Sequence, residues 1–319
     1  MARRRAVALF GALLALALIL LTSACLLWFP RSAPGPPPAA WAAQQRRQRR
    51  LRDACRETDD DAGSLDELSR AKLDHIVVDD AHGLLYCSVP KVASTNWKRV
   101  LLALQAGPGD PSRIPANRSH DPAAFTSLGQ LSPEEARRRL RSHLKFMFAR
   151  HPLERLLSAY RNKFEHAWSD YFPRRFGRTI VRRFRGAGAS PDALSTGRGV
   201  TFDEFLRYVA GLDAGDHASA FNEHWRPVSD LCFPCLVRYD VVGLYHSLDQ
   251  DSALVLWRAG LQRRVAFPSR ARTYSSEPTG SLMDAYYGNV SAALLGQLRT
   301  VYKRDMALFR YARRYPPFD

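Results

Sequence analysis

Lys91 closes the apolar run that starts at Leu84, and Ser94, Thr95 and Asn96 follow it within five residues. A lysine at a strand end, with short hydrogen-bonding residues opening the next helix, is chemistry for an anion. The free N–H groups and the dipole of a helix N-terminus favour negative charge there. The stretch "VPKVASTNWKR", Val89 to Arg99, contains no glycine, and its lysine comes first. It is therefore not a Walker A loop, G-x-x-x-x-G-K-[ST]. Without glycine to wrap two phosphates, it suits one terminal phosphate with Lys91 as its cation.

A second set of residues has the same logic. Arg150 ends the apolar stretch "LKFMFA", Leu144 to Ala149, and Ser158 stands eight residues on, two turns into a helix. The planar fork of an arginine matches phosphate oxygens. Two separate phosphate sites without magnesium ligands fit 3′-phosphoadenosine 5′-phosphosulfate better than ATP. A kinase would need metal-binding carboxylates and a nucleotide loop that this sequence lacks. For proton transfer near neutral pH, histidine is the suited residue. The candidates are His120, His151, His224 and His143. Glu223, beside His224 in "NEHW", is an alternative base or an orienting group.

These residues must be positioned by strands alternating with helices. "HIVVDD" reads as a strand, "DDAHG" as a turn and "LLYCSV" as a buried strand. Helical spacing follows from about Thr95, with Trp97, Val100, Leu101 and Leu104 on one face, and Gly107–Pro108 stops it. Leu144–Ala149 is a second buried strand, and Pro152 opens a helix carrying Leu153, Leu156, Leu157 and Tyr160. "YDVVGLYHSLDQDSALVLWRAG" gives a third strand and helix, and the C-terminal "SAALLGQLRTVYKRDMALFRYARRY" reads as one amphipathic helix. Such alternation predicts an α/β fold with a central, mainly parallel sheet. In such folds ligands sit beyond the carboxyl ends of the strands, where Lys91 and Arg150 lie.

The chain of 319 residues carries a net charge of +16, which points to a polyanionic partner. Residues 6–29 contain no charged side chain and would span about 36 Å as a helix, enough for a bilayer. Arg3, Arg4 and Arg5 place the short tail 1–5 in the cytoplasm and the remainder in the secretory lumen, a type II arrangement. The "TSA" before Cys25 leaves a cleaved signal peptide as the alternative. Residues 30–71, Pro- and Ala-rich and then densely charged, read as a stem with room for one helix, and 72–319 as the folded lumenal domain. A lumenal location excludes nucleic acid and leaves anionic glycans.

Cys55, Cys87, Cys232 and Cys235 are then an even set for structural disulfides, whose pairing stays open. The "CFPC" motif lacks a second C-x-x-C or a histidine pair at ligand spacing, so no metal is expected. Asn117 and Asn289 lie in glycosylation sequons. A glycan on Asn117 would have to point away from a cleft containing His120.

"VPKVASTNWKRVL" and "RHPLERLLSAYRNKF" closely resemble the two nucleotide-binding motifs of Golgi carbohydrate sulfotransferases. The group is that of the HNK-1, dermatan 4-O- and chondroitin 4-O-sulfotransferases, with most likeness to the chondroitin branch. "DDAHGLLYC", "FNEHW", "LCFPC" and "YDVVG" resemble further blocks, so the likeness runs from about His75 to Phe309. It implies a P-loop-like sulfotransferase fold in the Golgi membrane, with 3′-phosphoadenosine 5′-phosphosulfate (PAPS) as donor. The acceptor it implies is a glycosaminoglycan, at the 4-hydroxyl of GalNAc.

Residue by residue, the resemblance puts Pro90, Lys91, Val92, Ala93, Ser94, Thr95 and Asn96 on the 5′-phosphosulfate. Lys91 would act on the leaving oxygen, and Arg150 and Ser158 on the 3′-phosphate. The rest of the second motif is His151, Pro152, Leu153, Glu154, Arg155, Leu156 and Leu157. His120 lies where related glycan sulfotransferases place a catalytic histidine, which ranks it first as base, with His224 of "NEHW" second. Two positions depart from the family: Ser94 replaces a usual cysteine, and His151 replaces a usual glutamate, a possible cation for an anion. They keep in view a rival from another class, an inactive membrane-tethered polyanion binder.

Overall fold

The computed structural model describes residues 38–57, 73–107, 109–212, 221–268 and 278–311. The expected tail, the membrane anchor and residues 30–37 and 58–71 of the stem lie outside them. Among the described residues no helix is long and apolar enough to cross a membrane.

Five strands form one sheet in the order β3-β1-β2-β4-β5. They are β1 (Ile76–Asp79), β2 (Leu84–Cys87), β3 (Thr126–Ser127), β4 (Leu144–Ala149) and β5 (Val241–Leu244). β2, β4 and β5 run parallel, whereas β1 pairs antiparallel with both β2 and β3. The sheet is thus mixed, where a mainly parallel one was expected. The cause lies in "DDAHG": a turn this short can join only antiparallel strands, whereas parallel ones need a long crossover. The α/β class holds, because β2 and β4 each lead into a helix, α2 (Ser94–Ala106) and, two helices on, α4 (Pro152–Tyr160), with α3 (Pro133–Ser142) before β4.

The sheet is covered by an aromatic cluster. Trp97 of α2 is fully buried and its ring lies 4.6 Å from that of Phe146 and 5.5 Å from that of Phe148. A second, helical core gathers around α4, α5 (Arg178–Arg185), α6 (Phe202–Ala210) and Trp225. The C-terminal stretch expected as one helix is two, after α7 (Leu248–Arg258): α8 (Ala292–Val301) and α9 (Lys303–Phe309). Between them the buried Tyr302 donates its hydroxyl to the Trp225 carbonyl, and Asp305 caps the backbone N–H groups of Val228 and Ser229 at 2.7 and 2.8 Å.

Within the stretch read as stem, Pro38–Glu57 is a helix, α1, packed on the domain. β5 is an edge strand, whose free backbone groups need cover. Gln44 supplies it: its amide donates to the Asp240 carbonyl at 3.4 Å and accepts from Val242 N–H at 3.3 Å. Arg47 pairs with the buried Asp251 at 2.7 Å. Cys55 is joined to Cys235, and Cys87 to Cys232. Each cysteine of "CFPC" therefore serves a different structural bridge, one fastening α1 and one fastening β2.

Gly243 of β5 lies opposite Phe148 of β4. A Cβ at Gly243 would fall within the Phe148 ring, so only glycine fits. Gly243→Ala should cost about 1–3 kcal/mol, the usual range for overpacking a core. Urea unfolding measures it, and unchanged stability would show that the Phe148–Trp97 stack gives way freely.

Candidate active site

The loop from Pro90 to Ala93 turns sharply without glycine. Lys91 and Ala93 take the left-handed conformation themselves, at φ 69° and 59°. Each such residue costs about 1–2 kcal/mol. Two arginines from the β4–α4 junction hold the strained loop. Arg155, wholly buried, donates Nε to the Pro90 carbonyl at 2.9 Å and its terminal nitrogens to the carbonyls of Glu223 and Arg226, both at 2.5 Å. Arg150 donates Nη1 to the Lys91 carbonyl at 3.0 Å. Beyond the turn, α2 makes its first helical bond from Trp97 N–H to the Ala93 carbonyl. The amides of Ser94 and Thr95 thus precede the first bonded turn, as an anion site needs.

Lys91 lines a cavity of about 1080 Å³. Pro90, Ala93, Ser94 and Thr95 from the loop share its wall with His120, His224, Glu223 and His75. The structure therefore brings both ranked histidines and the loop together. Val92 and Asn96 do not reach it: Val92 joins the core and Asn96 is buried. Asn117, beside His120, is exposed at the wall, and Asn289 is exposed elsewhere.

Lys98, Arg99 and Lys163 add three cations to this cavity, against the carboxylates of Asp74 and Glu223. The sequence reading assigned no role to Lys98, Lys163 or His75. Lys163 follows α4 in a π-turn, Arg161–Glu165, and widened turns of this kind re-aim side chains at functional sites. Burial, and then the charges of Lys163, Arg150 and Arg155, push Lys91 down to about 7. Burial chiefly, helped by Lys163 and Lys91, holds His224 well below the usual histidine range. Burial and Lys98 lower His120. Both rings are neutral at pH 7 and can accept a proton.

The two histidines differ in how they are held. His224 Nδ1 lies 2.7 Å from Asn222 Oδ1, and its ring packs edge-on to Phe172 at 5.1 Å. With Nδ1–H donated to Asn222, Nε2 carries the free lone pair. His120 is exposed, with one long contact of 3.4 Å from Nε2 to Thr95 Oγ1. Glu223 stands 3.8 Å from His224 and 3.7 Å from His75. His143 binds Asp80 at 3.0 Å and has no place here.

Arg150 is 3% exposed and stacks 4.0 Å over the Tyr245 ring. It meets Glu154 at 2.6 Å, and Tyr245 and Glu154 line a second cavity of about 620 Å³. Its Nε–H is buried without a partner. Arg150 itself lines neither cavity and sits behind Lys91 and Glu154, which do; its orphaned guanidinium donor is the feature that suits a phosphate group. Ser158 is half-buried on α4, outside the Lys91 cavity wall. Leu153, Leu156 and Leu157 belong to the helical core, and Arg155 spends its donors on carbonyls, so these four support the site without lining it. His151 is no cation: burial pushes it down to about 4.

Because Lys91 titrates near 7 in the free site, its ammonium is present below that pH and lost above it. An anion needs the ammonium, so binding must draw in a proton on the alkaline side. Affinity for adenosine 3′,5′-bisphosphate should therefore fall above about pH 7, approaching tenfold per pH unit. Lys91→Arg should flatten the profile. Calorimetry across the pH range checks this, and a flat parental profile would contradict it.

Known proteins resemble this chain over most of its length. The profile of the Sulfotransferase family matches residues 74–312. Carbohydrate sulfotransferase 11 of Mus musculus is 41% identical over 269 residues, covering 83% of this chain and 75% of its own. Carbohydrate sulfotransferase 14 of Danio rerio is 40% identical over 268 residues, covering 83% of this chain and 70% of its own. Carbohydrate sulfotransferase 12 of Xenopus laevis is 34% identical over 269 residues, covering 78% and 63%. No solved structure gives a significant match. The chain belongs to the sulfotransferase family, as a relative of carbohydrate sulfotransferases 11, 12 and 14.

Proposed function

We propose that the protein transfers a sulfuryl group from PAPS to a glycan hydroxyl, the 4-hydroxyl of GalNAc in chondroitin or dermatan. It would work as a type II protein of the Golgi membrane with its domain in the lumen. Membership of the sulfotransferase family implies PAPS as the donor. The observation that carries the reading is the shared cavity of Lys91, the opening of α2 and two neutral histidines. When bound, PAPS supplies an activated sulfuryl group and a nucleotide leaving group. Lys91 holds positive charge at the leaving oxygen, where negative charge develops. His224, fixed by Asn222, takes the proton of the acceptor hydroxyl. Arg150 holds the 3′-phosphate from its orphaned Nε.

The two disulfides and two sequons suit the secretory lumen. The net charge of +16 suits an acidic acceptor. Not all basic residues are free for it: Arg185 makes a two-pronged pair with Glu204.

The direct test offers the lumenal chain radiolabelled PAPS or ATP with a panel of desulfated glycosaminoglycans. Label from PAPS on GalNAc O4 of chondroitin or dermatan is expected. Polymer binding without transfer would support the inactive polyanion binder instead. Lys91→Ala should lose about 10²–10³-fold in kcat while the domain stays folded by circular dichroism.

His224→Ala should lose about 10²–10⁴-fold in kcat with acceptor KM little changed, as for a general base. His120→Ala should lose less. The reverse order would move the base to His120.

A further inference from the structure

Among the described residues two large apolar side chains stand out in solvent, Trp168 at 80% exposure and Tyr171 at 60%. They lie three residues apart, and Trp168 lines the Lys91 cavity. An exposed tryptophan at the mouth of a polar, cationic cleft has no packing purpose there. The segment is nevertheless held. Asp170 pairs with Arg198 at 2.5 Å, and Tyr171 N–H reaches Ser169 Oγ at 3.2 Å. Tyr171 packs edge-on to Phe172 at 5.2 Å. Phe172 in turn touches the His224 ring and carries Lys163 Nζ 4.4 Å above its own ring. The segment that carries the exposed indole is thus tied, through Tyr171 and Phe172, to His224 and Lys163.

A flat aromatic surface that stays in water until a ligand arrives suits a ligand with one apolar face and polar edges. A pyranose ring has that form, with its axial C–H groups on one side. The cations Lys98, Arg99 and Lys163 in the same cavity call for carboxylate or sulfate on the same ligand. From these observations we infer that Trp168 is the platform for the sugar ring next to the reacting one in an acidic polysaccharide, whose acid group meets the cavity cations. This inference rests on the proposed glycan acceptor and adds a second binding subsite to it.

Trp168→Ala and Trp168→Phe can be compared with the parent on desulfated chondroitin polymer and on a single GalNAc glycoside, which has no neighbouring ring. Trp168→Ala should raise the polymer KM about 5–50-fold. Donor KM and kcat should stay within about twofold, and the monoglycoside should show no change. Trp168→Phe, which keeps a ring, should fall between. An unchanged polymer KM in Trp168→Ala would overturn the inference, and so would an equal loss on donor, polymer and monoglycoside. Tryptophan fluorescence titrated with desulfated chondroitin gives a readout independent of turnover. A blue shift in the parent that Trp168→Phe lacks supports the platform even if no glycan is sulfated, in which case the proposed activity alone fails. A shift equal in both proteins removes it.

Discussion

The structure depends on a loop that would not hold its shape alone. Lys91 and Ala93 adopt the left-handed backbone that glycine usually supplies. The carbonyls of Pro90 and Lys91 are gripped by Arg155 and Arg150, residues of the next strand–helix junction. Arg155 also holds the carbonyls of Glu223 and Arg226, which flank His224. One buried guanidinium therefore fixes the loop from Pro90 to Ala93 and the segment around His224 relative to each other. Its hydrogen bonds satisfy three carbonyls that would otherwise cost about 1–3 kcal/mol each if left buried and unpaired.

The clamp has an electrostatic consequence. Burial chiefly, and then the charges of Lys163, Arg150 and Arg155, bring Lys91 to about 7 and out of the ordinary lysine range. The site holds its charge weakly until an anion arrives. Burial first, and then Lys163 and Lys91 at His224 and Lys98 and Lys163 at His120, lowers both histidines and keeps them neutral. A cation that gains from anion binding beside a neutral histidine with a free lone pair is the division of labour that the proposed sulfuryl transfer calls for.

The local elements were legible because each had a strong pattern. Leu144–Ala149 is a strand with the expected bounds, and the helix opening near Thr95 starts one residue earlier. Lys91, Ser94, Thr95, His120 and His224 were named from residue type and position, and all share one cavity. What sequence could not supply was direction. Arg155 and Arg150 look alike in "RHPLER", yet one ends on three carbonyls and the other keeps an orphaned donor. Lys163 depends on a π-turn that no periodicity announces. The antiparallel β1 follows from the short turn in "DDAHG", a local signal that the strand–helix alternation of the rest of the sequence masks. The sequence left room for one stem helix but did not show its packing, because low apolar content conceals the few residues that bind the β5 edge.

The central claim is that two strand ends make two distinct phosphate sites, Lys91 for one and Arg150 for the other. It is tested most directly by calorimetric titration of the intact domain and of Arg150→Ala with adenosine 3′,5′-bisphosphate and adenosine 5′-monophosphate. The account predicts that the parent prefers the bisphosphate by about 10–150-fold, the worth of one charged hydrogen bond, and that Arg150→Ala loses this preference while still binding the monophosphate. Equal affinity of the parent for both nucleotides, or a preference that survives in Arg150→Ala, would contradict it.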